Sequence, residues 1–212
     1  LSSQLCGRRD MLDVARDAIA GGVDILQLRE KQFSDLDTVR LAQQLRTLTA
    51  DAGCLFLLND RIDLALAADA DGVHLGQTDL PTDAARKLLG SDKLIGRSTH
   101  SLDQATTALT ARASYLAVGP MFATTTKNKP PVGPGLLADY RAALPATTTI
   151  VAVGGITANT APHLTAADCL AVSSAIAEAP DIAAAAAEIR EAFLAAKSHK
   201  SPPATHSTED QA

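Results

Sequence analysis

Short, almost continuously apolar segments alternate along the chain with segments in which apolar residues recur at helical spacing. Such short apolar runs are typical of parallel strands that are buried on both faces. The pattern predicts strands at residues 24–28, 54–58, 72–75, 94–98, 115–118, 149–153 and 169–173. It predicts helices at residues 11–20, 35–50, 62–68, 82–89, 101–112, 136–144, 158–164 and 181–197.

Strict alternation of strands and helices predicts an α/β protein with a parallel sheet. Polar motifs follow nearly every predicted strand, whereas an open doubly wound sheet concentrates its ligand at one switch point. We therefore predict a closed (β/α)8 TIM barrel in a single catalytic domain, residues 1–197. Its remaining strand would have to be residues 2–5, which contain few strand formers. The polar segment 198–212, with Pro202 and Pro203, is predicted to be a disordered tail.

Composition narrows the class of protein further. The 212 residues suit one α/β barrel, and the net charge of −5 offers no basic surface for nucleic acid. Apolar runs stay well short of the ~18 residues of a membrane span. Three cysteines stand far apart without metal-ligand spacing, which favours reduced thiols and a cytoplasmic enzyme. We expect small-molecule substrates, and homo-oligomer formation stays open.

In a barrel, the groups that follow the carboxyl ends of the strands converge on one face, where substrates bind. Each such group has a simpler explanation when it is taken alone. Arg29, Glu30 and Lys31 fit a solvated charged turn, and His74 fits a satisfied core histidine. Asp60 and Asp79 fit helix caps, and a glycine pair fits an ordinary turn.

Taken together, these groups predict a site for two anions. Arg29, Lys31 and Lys127 supply positive charge, and Asp60 with Asp79 offers carboxylates for Mg²⁺, which also takes phosphate oxygens. A diphosphate would bind there. Two motifs follow the last two strands, where barrels commonly bind a monophosphate: Gly154-Gly155 and Ser173-Ser174. The long loop 122–134 is predicted to act as a lid.

The strand-end motifs resemble those of thiamine-phosphate synthases over about residues 10–190. The similar segments are Gln27-Leu28-Arg29-Glu30-Lys31, Asn59-Asp60-Arg61, the run from Asp71 to Asp79, Ile95 to His100, Val118 to Phe122, Thr124-Thr125-Thr126-Lys127 and Val153 to Ile156. The run from Asp71 to Asp79 and the Thr-Lys loop are the specific elements, because many phosphate-binding barrels share the glycine pair.

The resemblance implies a reaction and a set of site residues. Pyrophosphate leaves a pyrimidine methylene, and the nitrogen of a thiazole phosphate attacks the resulting carbocation. The pyrimidine diphosphate would be bound by Gln27, Leu28, Arg29, Glu30, Lys31, Asn59, Ser98 and Lys127. Among these, Arg29, Lys31, Ser98 and Lys127 are the expected catalytic residues, and Asp60 and Asp79 would bind Mg²⁺. The thiazole phosphate would be bound by Thr124, Thr125, Thr126, Gly155, Ser173 and Ser174.

Two other functions compete with this one. A thiazole tautomerase on the same barrel needs the monophosphate site but not a magnesium diphosphate site. A regulatory barrel that only binds thiamine precursors should have lost part of the metal or lysine set. The presence of Asp60, Asp79, Arg29, Lys31 and Lys127 favours the synthase over both.

Overall fold

The structure is a computed structural model that describes residues 1–124 and 130–199. Its centre is a seven-stranded parallel sheet in which every strand pairs with the next one along the chain. The strands are β1 Ile25–Leu28, β2 Leu55–Asn59, β3 Gly72–Leu75, β4 Leu94–Thr99, β5 Tyr115–Val118, β6 Ile150–Val153 and β7 Cys169–Ala171. Sequential parallel pairing with a helical connection after each strand is the arrangement of a TIM-barrel-like sheet, so the predicted α/β class is confirmed.

The helices largely follow the predicted pattern. They are α1 Ser3–Cys6, α2 Met11–Ala20, α3 Asp35–Asp51, α4 Ile62–Ala67, α5 Thr82–Leu89, α6 Leu102–Thr110, α7 Gly135–Ala143, α8 Ser174–Ala177 and α9 Ile182–Ser198. Ser34 and Ser101 accept hydrogen bonds from backbone N–H groups two residues into α3 and α6, as N-caps do. The predicted helix at 158–164 is reduced to a 3₁₀ turn, Ala161–Leu164. The short helices α1 and α8 were not predicted.

The prediction of a strand at residues 2–5 is wrong. Ser3–Cys6 is helical because the Ser2 hydroxyl caps it and the carboxylate of Glu30 accepts a hydrogen bond from Ser3 N at 2.8 Å. Leu1 alone continues the sheet beyond β1. Its amino group donates to Gln27 O at 2.7 Å, and its carbonyl accepts from Arg29 N at 2.8 Å, which is the parallel-ladder pattern.

The strand side chains that face the helices form the core. Leu28, Phe56, Leu58 and Val73 pack with Ala42 and Leu45 of α3 in one cluster. Leu116, Val118 and Ile150 pack with Tyr140 of α7 and Phe193 of α9 in a second cluster. The helices at the two ends of the chain meet in a third, which joins Met11 and Val14 of α2 to Ile182 of α9.

Gly21, at the end of α2, permits this last contact. A Cβ atom at this position would lie 2.4 Å from the carbonyl oxygen of Ala183 in α9, so only glycine allows such an approach. Helix α9 ends one residue into the segment that was predicted as a tail. The remainder of that segment, 200–212, lies outside the described residues, and among the helices that the structure describes none is long and apolar enough to cross a membrane.

Candidate active site at the carboxyl ends of the strands

The turn after β1 is organised by Glu30. Its carboxylate accepts hydrogen bonds from the backbone N–H groups of Ser3, Lys31 and Gln32 at 2.7–2.8 Å. Partial burial raises the pKa of Glu30, but these hydrogen bonds outweigh it and hold the pKa below its usual value. The predicted charged turn is therefore a fixed structure, and it presents the Lys31 side chain toward Asp60.

Asp60 and Asp79 lie side by side, as the sequence predicted. Burial and the neighbouring Asp79 carboxylate raise the pKa of Asp60, although the Lys31 ammonium, 3.2 Å from its Oδ2, acts in the opposite direction. Burial also raises the pKa of Asp79, but hydrogen bonds from Asp60 and from Gly76 N at 2.6 Å bring it below its usual value. Of the two carboxyl groups, Asp60 is therefore the one that takes up a proton more readily.

Neither carboxylate caps a helix, so the simpler explanation fails for both. The residue before α4 is Arg61 and the residue before α5 is Pro81, and neither makes a side-chain cap. Asp60 instead adopts a left-handed backbone with φ of 65°, and its N–H donates to His74 O at 2.9 Å. A non-glycine residue in this conformation costs roughly 1–2 kcal/mol. Asp69 and Arg112, which lie just before β3 and β5, adopt the same region with φ of 50° and 64°, so this backbone occurs at both ends of the sheet.

The loop that carries Asp79 is fixed by β4. The buried side chain of Arg97 donates to Leu80 O at 2.9 Å, and Gln77 donates to the backbone oxygen of Ser98. Burial lowers the pKa of Arg97 and the nearby Asp79 carboxylate partly restores it. Arg97 therefore places a second cation beside the carboxylate pair, a role that the sequence analysis did not assign to it.

A cavity of about 100 Å³ opens at the ends of β4, β5, β6 and β7. Five residues predicted as substrate-binding line it: Ser98, Thr124, Gly155, Ser173 and Ser174. Gly154 and Gly155 both have positive φ, of 100° and 67°. A Cβ on Gly155 would lie 2.6 Å from Ala123 O, so the loop after β5 packs directly on this turn. Glycine leaves backbone N–H groups accessible to an anion here.

Other lining residues were not assigned a role from the sequence, among them His100, Gly119 and Pro120. His100 Nδ1 lies 2.6 Å from Gly119 O, which ties the end of β4 to the end of β5. All three residues directly follow strands, at the same end as Ser98 and Gly155, and this position could have identified them as cavity residues.

On the sheet, the His74 side chain of β3 connects β4 to β5. Its Nε2 lies 2.8 Å from Ser98 Oγ, and its Nδ1 lies 3.0 Å from the hydroxyl of Tyr115. The two rings stack with centroids 5.7 Å apart. The prediction that His74 is a satisfied histidine is confirmed, and its partner Ser98 makes it part of the cavity wall.

The other predicted site residues are distributed along β1 and β2. Lys31 and Asn59 line a second cavity of about 260 Å³, together with Glu30. Gln27 and Arg29 are half-buried, whereas Leu28 belongs to the core and also lines this second cavity. Thr125, Thr126 and Lys127 lie outside the described residues. Among the described residues, no group of three or more His, Cys, Asp or Glu could hold a metal.

A sequential parallel sheet with its chemical groups at the carboxyl strand ends defines a TIM-barrel-like α/β enzyme. The sequence model described as thiamine monophosphate synthase matches residues 1–176. A thiamine-phosphate synthase of Moorella thermoacetica is 43% identical over 201 residues, 93% of this chain and 95% of that protein. Another, of Methanoculleus marisnigri, is 44% identical over 202 residues, again 93% of this chain and 95% of that protein.

A solved structure gives the same result. Thiamine phosphate pyrophosphorylase from Pyrococcus furiosus superposes with a TM-score of 0.82 at 32% identity, covering 89% of this chain and 91% of that chain. The chain belongs to the thiamine monophosphate synthase family.

Proposed function

We propose that this protein condenses a pyrimidine methyl diphosphate with a thiazole phosphate to give thiamine phosphate and pyrophosphate. The observation that carries the proposal is the juxtaposition of Asp60 and Asp79, beside Lys31, with a glycine- and serine-lined cavity that begins at Ser98. In this proposal the carboxylate pair and Lys31 mark the diphosphate end, and the cavity marks the monophosphate end. The membership in the family names the reaction that such a pair of sites would serve.

The carboxylate pair fits the magnesium ion that the reaction would use. Two carboxylates in contact are a suitable donor set, since Mg²⁺ takes one or two carboxylates plus substrate phosphate oxygens. When bound, the ion would neutralise charge on the departing pyrophosphate. A separate cage of protein ligands is not required for this role.

The residues of the chain supply positioning and charge. Lys31, Arg29 and Lys127 would bind the diphosphate and stabilise the negative charge that grows on it as the C–O bond breaks. Gln27, Leu28, Glu30 and Asn59 belong to the same side, and Ser98 lies between the two substrates. No covalent nucleophile is needed, because the thiazole nitrogen attacks the pyrimidine methylene cation directly.

At the other end, Gly155, Ser173, Ser174 and Thr124 to Thr126 would bind the thiazole phosphate. Binding at this end would hold the thiazole nitrogen next to the methylene carbon. Orientation of two bound reactants accounts for a large share of the rate acceleration in reactions of this kind.

We also propose that the sheet belongs to a closed (β/α)8 barrel in a cytoplasmic enzyme. The parallel pairing of Leu1 beside β1 and the packing of α2 on α9 support closure. The three unpaired cysteines, Cys6, Cys54 and Cys169, suit a reducing compartment.

One assay tests the proposed reaction. The purified protein is given both substrates with Mg²⁺, and thiamine phosphate and pyrophosphate are quantified together. We expect stoichiometric formation of both products, loss of activity in excess chelator, and recovery on adding Mg²⁺. Isomerisation of the thiazole phosphate alone would identify a tautomerase, and binding without any conversion would identify a regulatory protein.

A further inference from the structure

We propose that Tyr115 is a positioning residue that makes Ser98 a hydrogen-bond donor to the bound substrate, acting through His74. Three side chains from neighbouring strands form the connection: Tyr115 on β5, His74 on β3 and Ser98 on β4. Tyr115 does not line the cavity, and Ser98 does.

The direction of the hydrogen bonds follows from Tyr115. In the part of the chain that the structure describes, His74 Nδ1 is the hydrogen-bond partner of its hydroxyl. The ring of Tyr115 fills the space over Gly96, where a Cβ atom would lie 2.0 Å from the ring. Burial raises the pKa of Tyr115, so its hydroxyl keeps its proton. That proton goes to Nδ1, because an O–H left without an acceptor inside a protein costs roughly 1–3 kcal/mol.

The tautomer of His74 then fixes the role of Ser98. When Nδ1 accepts from Tyr115, the neutral imidazole carries its proton on Nε2. Nε2 therefore donates to Ser98 Oγ at 2.8 Å, and the hydroxyl proton of Ser98 is left for another acceptor. The opposite tautomer would consume that proton inside the network and present only lone pairs to the cavity.

A donor at Ser98 suits what the cavity is built to bind. Both proposed substrates are phosphate esters, which offer acceptor oxygens and no donor. This part of the inference rests on the proposed function. The tautomer of His74 does not depend on it, because it can be measured in the protein without substrate.

The first experiment is ¹⁵N NMR of the histidine side chains in the substrate-free protein, with the His74 signals assigned by their loss in His74→Gln. We expect His74 to be the Nε2–H tautomer in the wild type. In Tyr115→Phe, which keeps the ring stacked on His74, we expect the Nδ1–H tautomer to become populated. A wild-type His74 protonated on Nδ1, or a tautomer unchanged in Tyr115→Phe, would overturn the proposal.

The second experiment is a double-mutant cycle in kcat/KM. We expect Ser98→Ala to lower kcat/KM by about tenfold, the effect of one hydrogen bond to a charged group. Tyr115→Phe should lower it by about three- to tenfold, and the double variant should match Ser98→Ala alone. Losses that multiply would show that Tyr115 acts independently of Ser98.

The matched control is Tyr140→Phe. Tyr140 is the second tyrosine of the chain, and its hydroxyl donates to Ser101 O at 2.8 Å, away from the cavity. We expect it to lose a similar amount of stability with kcat/KM unchanged. If Tyr140→Phe lowers kcat/KM as much as Tyr115→Phe does, the effect is general destabilisation and the proposal fails. A wild type that is inactive with both substrates would reject the proposed function and leave the tautomer result standing.

Discussion

The two ends of the sheet differ in how their polar side chains are arranged. At the amino ends of the strands, three arginines from alternate helices each bind the residue that precedes a strand. At the carboxyl ends, two carboxylates lie against each other. Arg46 of α3 pairs with Asp71 before β3, Arg86 of α5 with Ser114 before β5, and Arg141 of α7 with Asp168 before β7. We call these three arrangements the strand-entry clamps.

The clamps repeat in detail. In each, the strand-entry side chain accepts a backbone N–H from the preceding strand, from Phe56, Ile95 or Ile150, at 2.8–3.0 Å. In each, the arginine also donates to the carbonyl two residues before the strand-entry residue: Asp69 O, Arg112 O or Ala166 O. Donors and acceptors at this end are matched, and matched polar groups stabilise a fold.

The carboxyl ends of the strands differ from this arrangement of matched donors and acceptors. Asp60 and Asp79 are two carboxylates in contact, and each shifts the pKa of the other, upward for Asp60 and downward for Asp79. Two carboxylates in contact repel each other when both are ionised, and a bound cation would relieve that repulsion. The comparison teaches that one end of the sheet carries stability and the other carries function, as in TIM barrels generally. Substitutions at the two ends should therefore separate turnover from stability.

The largest expected effect is at the carboxylate pair. We expect Asp60→Asn and Asp79→Asn each to lower turnover about 1,000-fold, about 4 kcal/mol, because either change removes a proposed Mg²⁺ ligand. The free energy of unfolding should stay within about 0.5 kcal/mol of the wild type. If both residues act through one ion, as proposed, the double variant should cost little more than either single one.

Steady-state assays with varied Mg²⁺, together with urea unfolding, measure both quantities for this pair. Strictly additive losses in turnover would argue against a shared ion. A loss of several kcal/mol in stability would show that the pair holds the fold, and the comparison between the two ends would collapse.

The second-largest expected effect is a loss of stability at the central clamp, which is formed by Arg86. Arg86 is only 7% exposed, and its guanidinium donates to four backbone carbonyls and to Ser114 without a carboxylate partner. Arg86→Met would leave several buried carbonyls unsatisfied, so we expect a loss of about 3 kcal/mol in unfolding free energy. Activity per folded molecule should be unchanged. Arg40→Met, at an exposed arginine, is the control and should have almost no effect.

These two ends differ in how far the sequence predicts them. Strand positions could be predicted because buried parallel strands are continuously apolar, and the sheet order follows from strict alternation. Asp60 and Asp79 could be paired because both follow neighbouring strands. The sequence also placed Ser98, Gly155 and Ser173 at one end, and all three line one cavity.

The failures share one cause, which is contact between residues distant in sequence. Helix α1 forms where a strand was expected because Glu30 accepts from Ser3 N, 27 residues away. Arg46, Arg86 and Arg141 resemble surface charges on helices, and nothing local distinguishes them. Tyr115 resembles an ordinary strand residue, and its hydrogen bond to His74 spans 41 residues.

A smaller effect is expected at the last clamp. Arg141 donates to Ala166 O and Thr148 O at 2.8–2.9 Å and pairs with Asp168, but its side chain is 27% exposed. Water can replace part of what is lost, so we expect Arg141→Met to cost about 1–1.5 kcal/mol. Thermal unfolding beside Arg16→Met, whose arginine forms an exposed pair with Asp13, checks this. A loss equal to that of Arg86→Met would contradict the dependence on burial.

The smallest effect tests whether the clamps are equivalent. Ser114 stands where the other two clamps have aspartate, and its backbone N–H bonds to Ile95 O as Asp71 bonds to Phe56 O and Asp168 to Ile150 O. Arg86 has a pKa lowered by burial and by Arg112, so a carboxylate here would meet two cations. We expect Ser114→Asp to raise the unfolding free energy by about 0.5–1 kcal/mol, measured in urea.

If the clamps are equivalent, the gain in unfolding free energy must come from the negative charge of the new aspartate. Ser114→Asn keeps the size and the acceptor for Ile95 N but has no charge, so it should give little or no gain. A carboxylate paired with Arg86 has a depressed pKa in the folded state, so the gain is present near neutral pH and disappears as the pH falls through that pKa. It should also shrink as salt screens the pair. Two results would contradict the equivalence of the clamps: an equal gain in unfolding free energy from aspartate and asparagine, or a gain that persists in acid. Either result would mean that carbonyl groups alone satisfy Arg86, so that the central clamp differs from its two neighbours.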